Sequence, residues 1–245
     1  MPDTIHAVIG HLQFPGTLWE PFGLWKLSPR VRSESGSFGK QDIGTYGLRL
    51  AGSAGKQNTY VSEMAYQSGN WGADSVSTWA GHWRIVRTLQ DDLRWPTLRL
   101  EYDYARGDSD PSDGRHHTFE LLYPTPHDKY GLADQIGWKN IHHISSVAEW
   151  SRPKKTIVQL KYHSWWLASK RDGVYNAGGN LLARDPLGLS GRHIGQELDL
   201  QILGGLGTQI KLGGGIGHIF PGRFLNNTTP GGSYTFPYVM LTWAF

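Results

Sequence analysis

The sequence predicts an all-β protein, a transmembrane antiparallel barrel of the outer-membrane type. Three observations carry that expectation. Apolar and polar residues alternate with period two, and helical periodicity is almost absent. The predicted strands mostly run to ~10 residues or more, the ~9–11 residues a tilted strand needs to cross a hydrocarbon layer. The connections divide into a longer set and a shorter set that alternate along the chain.

The predicted strands are 4–13, 22–29, 42–52, 58–69, 75–88, 96–106, 140–150, 155–168, 192–203, 207–219 and 234–245. In 42–52, Tyr46, Leu48 and Leu50 oppose Arg49. The same alternation sets Glu63 on one face of 58–69 and Arg84 on one face of 75–88. In 96–106, Leu98, Leu100, Tyr102 and Tyr104 share a face against Arg99, Glu101 and Asp103. In 155–168, Val158, Leu160 and Tyr162 oppose Gln159, Lys161 and His163. Ile194, Leu198, Leu200 and Ile202 oppose Glu197, Asp199 and Gln201, and Ile210 and Leu212 oppose Gln209 and Lys211. The last strand alternates through Val239, Leu241, Trp243 and the terminal Phe245. A weak candidate turn spans Tyr130 to Ile136.

The longer connections are 30–41, 107–139, 169–191 and 220–233, with 70–74 a short exception on that side. The shorter ones are 14–21, 53–57, 89–95, 151–154 and 204–206. The segment 107–139 reads as a long extracellular loop within a single domain, 1–245. Alternation alone also fits a water-soluble sandwich. Strand length and loop asymmetry favour the membrane, as do aromatics near strand ends, where they suit the headgroup level: Trp71, Trp95, Trp138, Trp150, Trp165, Trp166, Tyr234, Phe236 and Trp243.

Composition excludes other classes. There is no Cys, hence no disulfide scaffold or thiolate metal site. No apolar run approaches the ~18 residues of a spanning helix. The net charge of +3 comes from scattered basic residues, so no nucleic-acid partner is expected. The 32 Gly, 11 Trp, 11 Tyr and 8 Phe suit turns and packed β-structure. The opening Met1-Pro2-Asp3-Thr4 lacks the basic start and apolar stretch of a signal peptide.

One region is distinctive: Leu98 through Asp108, then His117-Thr118-Phe119, Leu122 to His127 with Tyr123 and Pro124, Tyr130-Gly131, Asp134, and Gly137-Trp138-Lys139-Asn140. Further matches are Gly47–Gly52, Glu63–Gln67, Gly195–Asp199 and Gly217–Gly222. In this order, from about residue 42 onward, they resemble the alginate export family of outer-membrane porins. Arg106 departs from the small Ser expected before Gly107-Asp108. The resemblance implies a monomeric barrel of roughly eighteen strands in the bacterial outer membrane. It implies passive passage of an anionic polysaccharide such as alginate, with no reaction catalysed. Against eleven predicted strands, the chain reads as the C-terminal part of a larger barrel. The strand ending in Phe245 resembles the signal by which the barrel-assembly machinery recognises its clients. Outer-membrane lipid is the other expected partner.

Passing an acidic polymer requires cations that attract it and binding weak enough to release it. The lumen-facing bases are Arg49, Arg84, Arg99, Lys161 and Lys211; the acids are Glu63, Glu101, Asp103, Glu197 and Asp199. The family-motif loop contributes Gly107, Asp108, Tyr123, Pro124, His127, Gly131, Asp134, Trp138 and Asn140, and by its length it is expected to fold over the mouth as a gate. No cofactor is expected. Asp108, Asp110 and Asp113 before Gly114 suggest a weak Ca2+ loop, but the spacing does not fit an EF-hand. The pairs His116-His117 and His142-His143 read as exposed histidines with poor metal spacing. Two alternatives stand beside the pore: a barrel hydrolase using Asp103, Asp108, His117 and His127 at the loop rim, and a soluble carbohydrate-binding sandwich using exposed Trp. No nucleophile elbow, zincin motif or phosphate loop is present.

Overall fold

The computed structural model describes residues 3–89, 95–122, 129–152, 156–206 and 209–243. The elements in chain order are β1 (Thr4–Ile9), β2 (Leu12–Phe14), β3 (Thr17–Arg32), β4 (Phe38–Ala54), β5 (Asn58–Trp71), β6 (Asp74–Thr88), β7 (Thr97–Ala105), β8 (Arg115–His116), β9 (Ile141–Arg152), β10 (Thr156–Leu167), β11 (Gly173–Tyr175), β12 (Leu181–Arg184), β13 (His193–Leu206), β14 (Ile210–Pro221), α1 (Arg223–Thr228) and β15 (Tyr234–Trp243). One sheet of 13 strands holds nearly all of them, in the order β1-β3-β4-β5-β6-β7-β9-β10-β13-β14-β15. β2 pairs with β3, and β8 pairs parallel with β6. β11 and β12 form a separate hairpin.

Each step along the main path is antiparallel, as short connections between sequence neighbours dictate. The sheet is open, with β1 and β15 as its edges. Among the described residues, no helix is long and apolar enough to cross a membrane.

The two faces of the sheet are chemically opposite. Leu98, Leu100, Tyr102, Leu160, Tyr162, Leu198, Leu200 and Ile202 are exposed, Leu100 by 52%. Between them Glu101, Asp103, Lys161, His163, Glu197 and Asp199 are buried, Asp103 completely. A protein folded by burying apolar surface from water would show the reverse. Part of the face that carries charge is covered by the chain's own connections, segment 130–136 among them. The apolar face meets only the surroundings.

Several expectations need correction. The predicted connection 30–41 is mostly strand: β3 and β4 run on to a tight turn at 33–37, closed by Ser33 N donating to Ser37 O at 2.8 Å. The pairing slips between Ser28 and Val31, around Pro29, which cannot donate a ladder hydrogen bond. The predicted strand 4–13 is split into β1 and β2, and 22–29 grows into the 16-residue β3. β8, β11, β12 and α1 fall within predicted connections. The weak candidate turn at Tyr130 to Ile136 is a single non-helical turn at Leu132 and Ala133, with Asp134 N donating to Gly131 O at 3.5 Å, in a mostly buried segment. Three aromatics leave the expected girdle. Trp165 is buried and stacks on His143 and His163, Trp138 packs on Phe119, and Trp71 packs on His116. Trp95 and Trp243 are exposed as expected. Phe245 lies outside the described residues.

Candidate functional site

Strand register builds the site. Across neighbouring strands, Glu20 stands opposite Arg49, Arg49 opposite Glu63, Glu63 opposite His82, His82 opposite Asp103 and Asp103 opposite His143. A second row runs through Arg84, Glu101, Ser145, His163 and Glu197. Period-two alternation sends all these side chains to the same face. They surround a cavity of about 450 Å³, to which Arg49, Glu63, His82, Arg84, Arg99 and Glu101 contribute. Lys129, from the long loop, joins them. Four permanent cations thus face two carboxylates around open space. The Arg49 guanidinium also pairs with Glu20, and Arg99 Nε lies 3.9 Å from Glu101 Oε2.

Beside the cavity the charges become a buried hydrogen-bonded chain. His82 Nδ1 lies 2.7 Å from Asp103 Oδ1, and His143 Nδ1 lies 2.7 Å from Asp103 Oδ2. His143 Nε2 is 2.9 Å from His163 Nδ1, and the two rings stack at 7°. His163 Nε2 then faces Asp199 Oδ2 at 3.5 Å. Lys161, also buried, donates to Gln201 Oε1 at 2.8 Å. Among the described residues, His82, Glu101 and Asp103 hold ligand-type atoms within 4.8 Å of one another. Both Asp103 oxygens already face imidazole nitrogens, and Arg84 and Arg99 line the same space.

The long loop does not stay outside. Its segment 130–136 lies on the charged face, with Tyr130, Leu132, Ala133 and Ile136 buried. Ala133 N donates to Glu197 Oε1 at 3.0 Å. The Tyr130 ring meets His143 edge-on at 5.2 Å, and burial pushes its phenol pKa up. Gly215 and Gly217 of β14 make room: a Cβ on Gly217 would sit 2.6 Å from Asp199 Oδ1 and 3.6 Å from Leu132 Cβ. Lys129 Nζ lies 5.4 Å from the centre of the Trp138 ring.

The loop's remaining motif residues form a knot that anchors both ends. Asp108 Oδ1 accepts from Asp110 N at 2.8 Å, and Asp108 Oδ2 accepts from His117 N at 2.8 Å. Asp172 takes Asp108 N, Thr118 Oγ1, Gly173 N and the Tyr175 hydroxyl, all within 2.9 Å. Burial, together with the adjacent Asp172, pushes the Tyr175 phenol up. Asn140, fully buried, accepts from Ser169 N at 2.6 Å and donates to Ser169 O and Gly173 O. Gly107 presses on Asn140 so closely that a Cβ would fall 1.8 Å from its Oδ1. Trp138 Nε1 donates to Tyr104 O at 3.1 Å. Gly131 lies on Glu197, and Asp134 O accepts from Ala177 N.

The lumen assignments therefore separate. Arg49, Glu63, Arg84, Arg99 and Glu101 come together at the cavity. Asp103, Lys161, Glu197 and Asp199 are buried in the wall beside it. Lys211 shares their parity but sits exposed near the end of β14. Tyr123, Pro124 and His127 lie outside the described residues. In the suggested Ca2+ loop the Asp110 carboxylate accepts from Ser112 N and Oγ, whose hydroxyl bond holds its pKa down, and Asp113 accepts from Arg115 N. Those carboxylates cap local turns. The hydrolase grouping is divided: Asp103 belongs to the histidine chain, while Asp108 and His117 belong to the loop knot. His116 and His143 are not exposed; His116 pairs with Glu34 at 2.8 Å. The histidine chain was not visible in the sequence, because its members lie on five strands and only register joins them.

A family model described as alginate export matches residues 26–237. No curated protein matches the chain.

Proposed function

Because the chain belongs to the alginate export family, we propose that it forms the wall of an outer-membrane β-barrel pore for passive passage of an anionic polysaccharide. The single observation that carries this reading is the inverted sheet: an apolar face without cover and a charged face around a cavity lined by Arg49, Arg84 and Arg99. A lipid environment makes the apolar face favourable, and water in a lumen makes the charged face affordable. The two edge strands run the same way, so an all-antiparallel barrel needs an odd number of further strands between them.

In such a pore each guanidinium offers a planar, bidentate partner to a sugar carboxylate. Glu63 and Glu101 around the same cavity keep the field from becoming a trap, so a polymer carboxylate passes from one cation to the next. Catalysis has no role here. The test is planar-bilayer conductance of the purified protein, with and without an acidic polysaccharide such as alginate. The expected result is anion preference and block by the polymer, both weakened in Arg99→Glu. Channels without anion preference, unchanged by that substitution, overturn the electropositive pore.

A further inference from the structure

The apolar face ends, on the side of the longer connections, in a row of rings. Tyr104 of β7 stands opposite His142 of β9, His142 opposite Trp166 of β10, and Trp166 opposite His193 of β13. Residues opposed in register share a face. Tyr104 follows the exposed Leu100 and Tyr102 by the two-residue period, so that face is the apolar one. The rings lie against one another: Trp79 and Tyr104 at 4.3 Å between centres, Tyr104 and His142 at 5.0 Å, Trp166 and His193 at 5.5 Å. A band of amphipathic rings suits the headgroup level of a bilayer.

Just beyond this row stand two arginines. Arg106 lies two residues past Tyr104, and Arg192 lies next to His193. Backbone carbonyls hold both. Arg106 N continues the ladder to Trp79 O at 3.1 Å, and Arg106 Nη1 donates to Ser77 O at 3.3 Å. Arg192 Nη1 donates to Leu167 O at 3.1 Å and to Ala168 O. Neither guanidinium has a carboxylate partner among the described residues. Each spends Nη1 on the chain and keeps its Nε–Nη2 edge, the planar fork that grips a phosphate. β7 and β13 are three strand spacings apart, roughly 14 Å, so each arginine meets a phosphate of its own.

We propose that Arg106 and Arg192 hold the headgroup phosphates of outer-leaflet lipid, whose acyl chains lie on the apolar face below the ring row. This inference rests on the barrel reading and adds a lipid class to it. Fixed cations directly above an apolar, ring-rimmed surface match an amphiphile, charge first and hydrocarbon beneath. Free phosphate would use the cations alone. The polymer in the lumen does not meet these arginines, because Arg49, Arg84 and Arg99 line the opposite face. Arg106, which stands where the resemblance led to a small Ser, thereby has a role outside the pore. One basic side chain near an anionic lipid surface is worth about fivefold in affinity.

Native mass spectrometry of the purified chain in zwitterionic detergent reads retained lipid directly. The probes are phosphatidic acid and phosphatidylcholine with the same acyl chains, added in equal amounts. Phosphatidic acid should be retained about tenfold or more over phosphatidylcholine, and inorganic phosphate in large excess should not displace it. Arg106→Gln and Arg192→Gln keep an amide N–H for the backbone carbonyl and remove the charge. Each should lower the preference about fivefold, and the double variant should abolish it, with circular dichroism showing an unchanged sheet. Arg106→Lys and Arg192→Lys, which keep the charge, should restore most of it. Lys56→Gln, exposed in the 53–57 turn at the other end of the sheet, should leave it unchanged. Equal retention of the two lipids, a preference unmoved in the double Gln variant, or displacement by inorganic phosphate overturns the proposal. Stronger retention of poly-glutamate than of phosphatidic acid also overturns it, by making the patch a protein-docking surface. A chain that stays folded and monomeric without detergent fails the barrel reading and this inference with it. One that needs detergent yet holds both lipids alike fails this inference alone.

Discussion

Asn140 shows how a single residue holds a long connection in place. Its backbone sits at φ 49°, a conformation that few side chains tolerate, and its amide ties Ser169 and Gly173 to the end of the 107–139 loop. Replacing it by Ala removes three hydrogen bonds, one buried and two part-buried, and adds backbone strain. Asn140→Ala should therefore cost roughly 2–4 kcal/mol, seen as a lower urea midpoint in detergent micelles. Asn140→Gly, which accepts the backbone angle, should recover about 1 kcal/mol of that. At this scale the sequence was partly legible. Alternation alone put Arg49, Arg84 and Arg99 on the cavity side. It could not say that Lys161 would be buried against Gln201, or that Asp108 would spend its oxygens on backbone amides, because those outcomes depend on partners on other strands and in other loops.

At the scale of elements, β14 and the loop segment 130–136 are matched parts. Gly213, Gly215 and Gly217 fall on the inward parity of β14, where any side chain would meet its neighbours. Gly217→Leu would drive carbon into the Asp199 and Glu197 carboxylates and against Leu132. The substitution should displace the segment while leaving the strand ladder intact. Hydrogen exchange at the Ala133 amide should speed up by about tenfold or more, with exchange in β9 and β10 unchanged. The run Gly213-Gly214-Gly215-Ile216-Gly217 leaves room in the strand, and the structure shows what needs that room at Gly217: the carboxylates of Asp199 and Glu197, and Leu132. The eleven strands of the main path were legible because long strands repeat the two-residue period many times. The short pieces β2, β8, β11, β12 and α1 were not, since two to six residues carry too little periodicity to stand out from a loop. The extension of β3 and β4 was hidden by Pro29 and by the Ser and Gly residues around the 33–37 turn, which read locally as loop yet lie in or beside the ladder.

At the scale of the molecule, the placement of the modest hydrophobic share of 38% sets what solvent each face can meet. A water-soluble sheet would gather it inside. Here it coats the face without cover, while ionised groups fill the protected one, so the solvent on the two sides must differ. That can be tested with one charge placed on each face. Leu100 lies on the apolar face of β7, and Val61 lies on the cavity side of β5, opposite Arg84 in register. If the apolar face meets hydrocarbon, Leu100→Arg should cost about 2–4 kcal/mol when its depth is near the bilayer midplane, and should lower the yield of folded protein in the outer membrane. Val61→Arg adds a fourth guanidinium to a hydrated cavity, so it should fold with nearly unchanged stability and strengthen anion preference. A soluble sandwich predicts the opposite ranking, because an arginine replacing an exposed leucine would meet water and one replacing an inward valine would be buried. Urea titration of both variants in parallel, in lipid vesicles, separates the two architectures without any transport assay.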